Sequence, residues 1–266
     1  MIELNKIYNE DCLEGMKRIP DDSVDMILCD LPYGTTSAKW DSVLPLGVLW
    51  DQYERVIKEN GAIVLTAAQP FTTTIIAHKQ ELFRYVWYWK KNRVTGFANA
   101  KKQPLRHVED VVVFYKKRPT YNPQGLVEVN KTVKNRKSVG GETLRRDIEE
   151  SSGKGSLRTA GAEYIQQYTN YPRQLLEIKS AVKTIHPTQK PVPLFEYLIK
   201  TYTNEGETVL DNCMGSGTTA IACLNTKRNF IGFELNKEYF EIAQNRIEER
   251  QNQISLLDDE TLEVIK

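Results

Sequence analysis

Asp211-Asn-Cys-Met-Gly215-Ser-Gly217-Thr218-Thr219-Ala220 follows the short apolar run Thr208 to Leu210 and opens a helix. Glycines in such a turn allow positive φ and let the backbone come close to a ligand. The next apolar run, Asn229 to Phe233, ends at Glu234, whose carboxylate can accept hydrogen bonds from both ribose hydroxyls of a nucleoside. Strand, glycine turn, helix, strand and terminal acid in that order predict a nucleoside-cofactor site on an open α/β sheet. Gly215-Ser-Gly217-Thr-Thr-Ala220 also fits the GxGxxA pattern of a dinucleotide site. Asp211, however, would repel a pyrophosphate and could pair with an ammonium group, so NAD is the weaker reading. Only one helix, from about Lys237 to Glu249, and a polar tail over 251–266 follow Glu234. The sheet must be completed by N-terminal strands, which makes the expected fold a Rossmann-like mixed sheet with helices on both faces and a circularly permuted order.

Those N-terminal strands can be found by pattern. Val24 to Cys29 (VDMILC) is a buried-strand run that ends at Asp30. Residues 45–59 read as a helix opened by Pro45 and closed by Asn60-Gly61, and Ala62 to Thr66 as the next strand. Pro70 opens a further helix. Tyr85 to Trp89 and Asp110 to Tyr115 suit an antiparallel pair on either side of a basic loop. Pro191 to Tyr202 reads as a helix with Leu194, Leu198 and Tyr202 on one face. Asp30-Leu31-Pro32-Tyr33 thus lies at a carboxyl strand end, the edge where open α/β sheets gather ligands, and Asp30 and Asp211 are expected to face one crevice. Pro32 fixes its own φ and pushes Leu31 into an extended conformation. The Asp30 carboxylate and the Leu31 carbonyl could then receive two N–H donors of an amine while the Tyr33 ring stacks on a flat heterocycle.

Charge is unevenly placed although the net value is only +1. Lys90 to Arg106 holds six basic and no acidic residues, and Lys116 to Lys183 fourteen basic against seven acidic. A cationic middle between acidic ends predicts one surface that faces a polyanion. Residues 116–183, rich in Asn, Gly, Ser, Lys and Arg, read as an inserted module. No run approaches the ~20 apolar residues of a membrane span. MIELNKIYNEDC lacks the basic-then-apolar pattern of a secretory signal, so the cytoplasm is the expected compartment. Cys12, Cys29, Cys213 and Cys223 form no CxxC pair and are expected to be reduced, and His78, His107 and His186 are too scattered for a metal site, so no metal is expected.

Together these segments resemble the β-group of amino-methyltransferases of DNA. Asp30-Leu31-Pro32-Tyr33 is similar to that family's Asp-Pro-Pro-Tyr motif, and Asp211-Asn-Cys-Met-Gly215-Ser-Gly217 to its Asp-x-Phe-x-Gly-x-Gly motif. His186-Pro187-Thr188-Gln189-Lys190-Pro191 matches its six-residue His-Pro-Thr-Gln-Lys-Pro box, and Asn9-Glu-Asp11-Cys12 resembles the segment whose Asp lies near the cofactor adenine. Leu31 replaces the first Pro and Cys213 the Phe. The resemblance implies S-adenosylmethionine as cofactor, held by Asp11, Cys12, Asp30, Thr188, Lys190, Asp211, Gly215, Ser216, Gly217, Thr218 and Glu234, with Asp30, Leu31, Pro32 and Tyr33 catalytic. It also implies double-stranded DNA as partner, with 1–115 as the catalytic half of one domain, 116–183 as target-recognition insert and 184–250 as the cofactor half. A homodimer and a cognate restriction endonuclease remain open.

The expected reaction is methylation of N6 of a flipped-out adenine. Its lone pair is delocalised into the ring, and hydrogen bonds to Asp30 and the Leu31 carbonyl would favour a pyramidal, nucleophilic nitrogen. Trp40 could help close the site. Lys90, Lys91, Arg93, Lys101, Lys102 and Arg106 would hold phosphates, which gives affinity and position rather than sequence reading. Cytosine C5 methylation needs a thiolate, generally in a Pro-Cys pair, and none occurs. Cytosine N4 is the alternative, although that resemblance more often carries Ser where this chain has Asp30. Methylation of RNA or of a protein amide, and a DNA-binding module without activity, rank lower, because the insert is basic and Asp30, Pro32 and Tyr33 are all present.

Overall fold

The computed structural model describes residues 2–34, 43–134, 163–180 and 189–264, the stretch 257–264 by its backbone alone. Along the N-terminal part run β1 (Lys6–Tyr8), α1 (Cys12–Met16), β2 (Val24–Asp30), α2 (Leu46–Val56), β3 (Ile57–Ala67), α3 (Phe71–His78), β4 (Phe83–Thr95) and β5 (Arg106–Phe114). Then follow β6 (Val127–Lys134), β7 (Glu163–Thr169), β8 (Leu175–Glu177), α4 (Val192–Tyr202), β9 (Thr208–Asp211), α5 (Thr218–Asn225), β10 (Asn229–Phe233) and α6 (Lys237–Val264). The main sheet has the order β1-β10-β9-β2-β3-β5-β4-β8. Its first five strands are parallel, β5 runs antiparallel to both β3 and β4, and β8 lies parallel to β4. The chain leaves β9 toward β10 on one side and leaves β2 toward β3 on the other. The carboxyl ends of β9 and β2 therefore flank the switch point where α/β sheets bind ligands.

Side-chain alternation along the buried strands puts apolar residues on both faces. Ile27, Cys29, Ile63, Leu65, Val112 and Phe114 pack with Met16, Trp50, Tyr53 and Phe71. Met26, Leu28, Val64, Val111 and Val113 pack on the opposite face with Leu194, Leu198, Tyr202, Ala220 and Ile247. Burying one such side chain contributes roughly 1.5–3 kcal/mol, so both layers help to fix the strands that carry the site.

Three elements differ from their sequence reading. The helix expected over 45–59 ends at Val56, and β3 begins at Ile57. Asn60-Gly61 is no helix stop. The pairing of β2 and β3 shifts between Val24↔Ile57 and Met26↔Ala62, and a Cβ on Gly61 would lie 2.9 Å from the Asp25 carbonyl oxygen. Glycine there permits close approach of two backbones in a strand irregularity. Leu175–Glu177, read as part of the insert, pairs with Tyr88–Lys90 of β4. The polar stretch after Glu249 continues as helix to Val264.

Pro123–Pro172 forms a compact unit of its own. Within it β6 and β7 pair antiparallel, Val127 opposite Thr169 and Lys134 opposite Glu163. Among the described residues no helix is long and apolar enough to cross a membrane.

Candidate active site

At the end of β2, Asp30 is held from three elements. Its Oδ1 accepts hydrogen bonds from the Tyr33 hydroxyl, 2.7 Å away, and from the hydroxyl of Thr66 at the same level of β3. Its Oδ2 accepts from the Lys190 ammonium at 2.6 Å. Lys190 is only 7% exposed and also lies 3.5 Å from Glu109 on β5, whose other oxygen accepts from Lys91 of β4 at 2.8 Å. Four charges thus alternate in sign through the interior. Burial alone would lower the Lys190 pKa, but the Asp30 and Glu109 carboxylates outweigh it and hold it above the usual lysine range. Burial likewise works to raise Glu109, and Lys190 and Lys91 together keep it below the usual carboxylate range. The Tyr33 ring stacks on Phe71 at 5.2 Å between centroids, and Lys190 Nζ lies 5.7 Å from the ring centre. Leu31 is buried, with Pro32 and Tyr33 half-buried.

The glycine turn follows β9. Gly215 and Gly217 both have positive φ, +53° and +83°, which a side chain would strain. A Cβ on Gly217 would crowd Ala243 of α6 at 3.1 Å, whereas one on Gly215 would meet no atom within 4 Å. The turn therefore opens to free space at Gly215, beside Glu234. The Gly215 amide donates to one Glu234 oxygen at 2.7 Å and the Asn236 amide to the other at 2.8 Å. Burial raises the Glu234 pKa against these hydrogen bonds. An oriented carboxylate beside an open glycine backbone fits the ribose of a nucleoside. Asp211 is 2% exposed and accepts from the Cys213 amide at 3.0 Å and the Thr219 hydroxyl of its own turn, with the Cys29 thiol of β2 as a further donor. Burial pushes its carboxyl up to about 6 in spite of those bonds. Ser216 is buried with its hydroxyl on Arg246, 3.1 Å away, while the Thr218 hydroxyl donates to the Lys190 carbonyl at 3.4 Å and links the two corners.

The other expected residues scatter. Asp11 caps α1, its Oδ1 accepting from the Leu13 and Glu14 amides, and Cys12 is buried beside Asn212, whose Nδ2 lies 3.6 Å from its sulfur. Thr188 and Trp40 lie outside the described residues, as does His186. Arg93, Lys101, Lys102 and Arg106 are exposed on an arm formed by the outer ends of β4 and β5, and make no ion pair among the described residues. Past the Ala67–Asp110 pair, where β3 ends, this arm continues along β5 to Arg106 opposite Thr95, about 13 Å at ~3.3 Å per residue. Lys90 pairs with Glu177 at 2.9 Å. Lys91 departs from the expectation of a phosphate contact: it points inward, 11% exposed, onto Glu109. Strand alternation sends two adjacent lysines to opposite faces. Thr66, Phe71 and Glu109 escaped the sequence reading. Thr66 was within reach of it, as the polar last residue of an apolar strand, but a partner of Glu109 is visible only once β4 and β5 are in register. Burial pushes the Cys29 thiol up to about 12 and raises Cys223 as well, which disfavours the thiolate at both.

A family model described as DNA methylase, of the N6/N4 methyltransferase type, matches residues 24–245. The type II methyltransferase M1.MboII of Moraxella bovis is 29% identical over 90% of this chain and 95% of its own. The DNA adenine methyltransferase YhdJ of Escherichia coli is 26% identical over 92% of this chain and 83% of its own. Among solved structures, the complex of M1.HpyAVI with SAM superposes with a TM-score of 0.59 at 27% identity, covering 91% of this chain and 98% of that one. The cytosine-N4-specific PvuII DNA methyltransferase shares the fold, with a TM-score of 0.64 at 15% identity over 96% of this chain and 93% of that one.

Proposed function

Because the chain belongs to the N6/N4 DNA methylase family and uses S-adenosylmethionine, we propose that it methylates N6 of an adenine flipped out of duplex DNA. The observation that carries this reading is Asp30, a carboxylate ringed by donors at the end of β2 and linked through Lys190 and Thr218 to the glycine turn of β9. The cofactor supplies a methyl group on a positively charged sulfur. Glu234 would hold its ribose, Gly215 and Gly217 would let it approach the backbone, and Asp211 fixes the turn and would contribute negative charge toward the ammonium end. Asp11 and Cys12 would border its base, and Lys190, seated on Asp30, would stand at the reacting end.

On the DNA side Asp30 and the Leu31 carbonyl each accept one N–H of the target amine, which localises the lone pair on nitrogen and aims it at the methyl group. Phe71 backs the Tyr33 ring, against which the flipped base stacks. Arg93, Lys101, Lys102 and Arg106 hold phosphates along the arm. Residues 116–183, with the Pro123–Pro172 unit inside them, read the target sequence. Adenine is preferred to cytosine because an aspartate stands at position 30 and because the related YhdJ acts on adenine. Single-molecule sequencing of DNA from cells that express the chain tests the proposal directly. N6-methyladenine in one sequence context is expected, N4-methylcytosine would transfer the same chemistry to the other base, and unmodified DNA would overturn the reading.

A further inference from the structure

We infer that Glu109 is a positioning residue for methyl transfer: it receives the Lys190 ammonium when the target amine arrives at Asp30. This rests on the reading of Asp30 as the acceptor of that amine. Oδ1 of Asp30 already takes two hydroxyl donors, from Tyr33 and Thr66, so Oδ2 is the oxygen with room, and Lys190 sits on it. A cation there weakens the carboxylate as an acceptor. It also places positive charge close to a nitrogen that itself becomes positive as the methyl group is transferred.

Lys190 is too deeply buried to withdraw into water and needs another acceptor. Glu109 offers one. Its Oε2 is buried and has no hydrogen-bond donor among the described residues, while Oε1 is held by Lys91. A buried acceptor left without a donor is uncommon and costly. This one stands 3.5 Å from the ammonium, and a movement of about 0.7 Å would complete a charge-assisted bond of ~2.8 Å. The handover moves no proton: Lys190 stays an ammonium and Glu109 a carboxylate. Asp30 regains its acceptor strength at the moment the amine needs it, and Lys91 keeps Glu109 ionised and aimed inward.

The test is a double-mutant cycle on the full chain, with E109Q, K190M and the double variant. Single-turnover methyl transfer to unmethylated bacterial genomic DNA is read at saturating labelled cofactor, beside cofactor affinity by calorimetry and thermal melting. E109Q is expected to slow transfer about 10–100-fold with cofactor affinity unchanged. E109D should recover most of the rate. In the K190M background E109Q should cost little, because no cation remains to be moved. Full-rate transfer by E109Q, or an equal cost in both backgrounds, would overturn the inference. Should E109Q not fold, K91M, which loosens Glu109 without removing its charge, replaces it in the same cycle with the same expectations. A D30N arm separates the two levels. Full-rate transfer by D30N overturns the reading of the site itself, whereas slow D30N with unaffected E109Q overturns the role of Glu109 alone.

Discussion

Asp30 and Asp211 close two neighbouring parallel strands, β2 and β9, and the fold uses them in opposite ways. The Asp30 side chain is 22% exposed, and two of its three donors, Thr66 and Lys190, come from distant parts of the chain, while the third, Tyr33, lies three residues on. Asp211 is sealed, with two donors from its own turn, the Cys213 amide and the Thr219 hydroxyl, and the Cys29 thiol of β2 as a further one. A carboxylate oriented by tertiary partners can exchange one of them for a ligand. One consumed by local hydrogen bonds shapes the backbone that a ligand meets. Residue type and strand-end position are the same, so the difference in work comes from exposure and from the Lys190 ammonium that only Asp30 receives.

The sharpest way to break this comparison is Asp30→Ala. If Asp30 is the exchangeable partner of the reacting amine, methyl transfer should fall on the order of 10²–10³-fold while calorimetric cofactor binding persists. Comparable loss of both would make Asp30 as architectural as Asp211. On the cofactor side, Glu234→Ala should weaken S-adenosylmethionine binding about 10- to 100-fold, the worth of a charge-assisted hydrogen bond of ~1.5–3 kcal/mol.

Asp211→Asn tests the sealed carboxylate through pH. Its folded pKa of about 6 is raised from the ordinary 3.8. The stability that protonation provides is therefore complete below 3.8 and lost as pH rises through 6. A neutral Asn keeps it, so the variant should be more stable than the wild type at pH 8, on the order of 3 kcal/mol at most, with the gain vanishing toward pH 4. Thermal melts across that range check the sign; a gain that grows toward low pH would mean that Asp211 is stabilised as the anion. The smallest effect belongs to the exposed cations. Neutralising Lys101 and Lys102 should weaken every duplex alike and reduce the log–log salt slope by about 0.9 for each phosphate no longer neutralised, as read by fluorescence anisotropy. A change of sequence preference instead would assign base reading to the arm.

How much of this was legible in the chain depends on the range of the interactions. β2 with Asp30, the glycine turn and Glu234 could be read because each is announced within a few residues by an apolar run that stops at an acid or a glycine. The helix end at Val56 could not, since Asn60-Gly61 looks the same whether it caps a helix or lets Asp25 and Gly61 approach across a strand irregularity. Lys90 and Lys91 were indistinguishable in a basic stretch until strand alternation sent one outward to Glu177 and the other inward to Glu109. The fold was written in local pattern, while the ion pairs around Asp30 depend on register.

The interleaving of β1 and β2 with β9 and β10 also governs how the chain must be born. The amide of Thr208 donates to Asp25, 183 residues earlier, and Asn5 accepts from the amide of Phe230, 225 residues later. At synthesis rates of 5–20 residues per second, roughly 10–40 s pass between the emergence of β2 and that of its neighbour β9. Throughout that interval Met26 and Ile27 form a bare, apolar edge that invites pairing with other nascent chains. Folding is held back until the last strands arrive, so yield from the ribosome should respond to chaperone supply and growth temperature more than the finished molecule's packing would suggest.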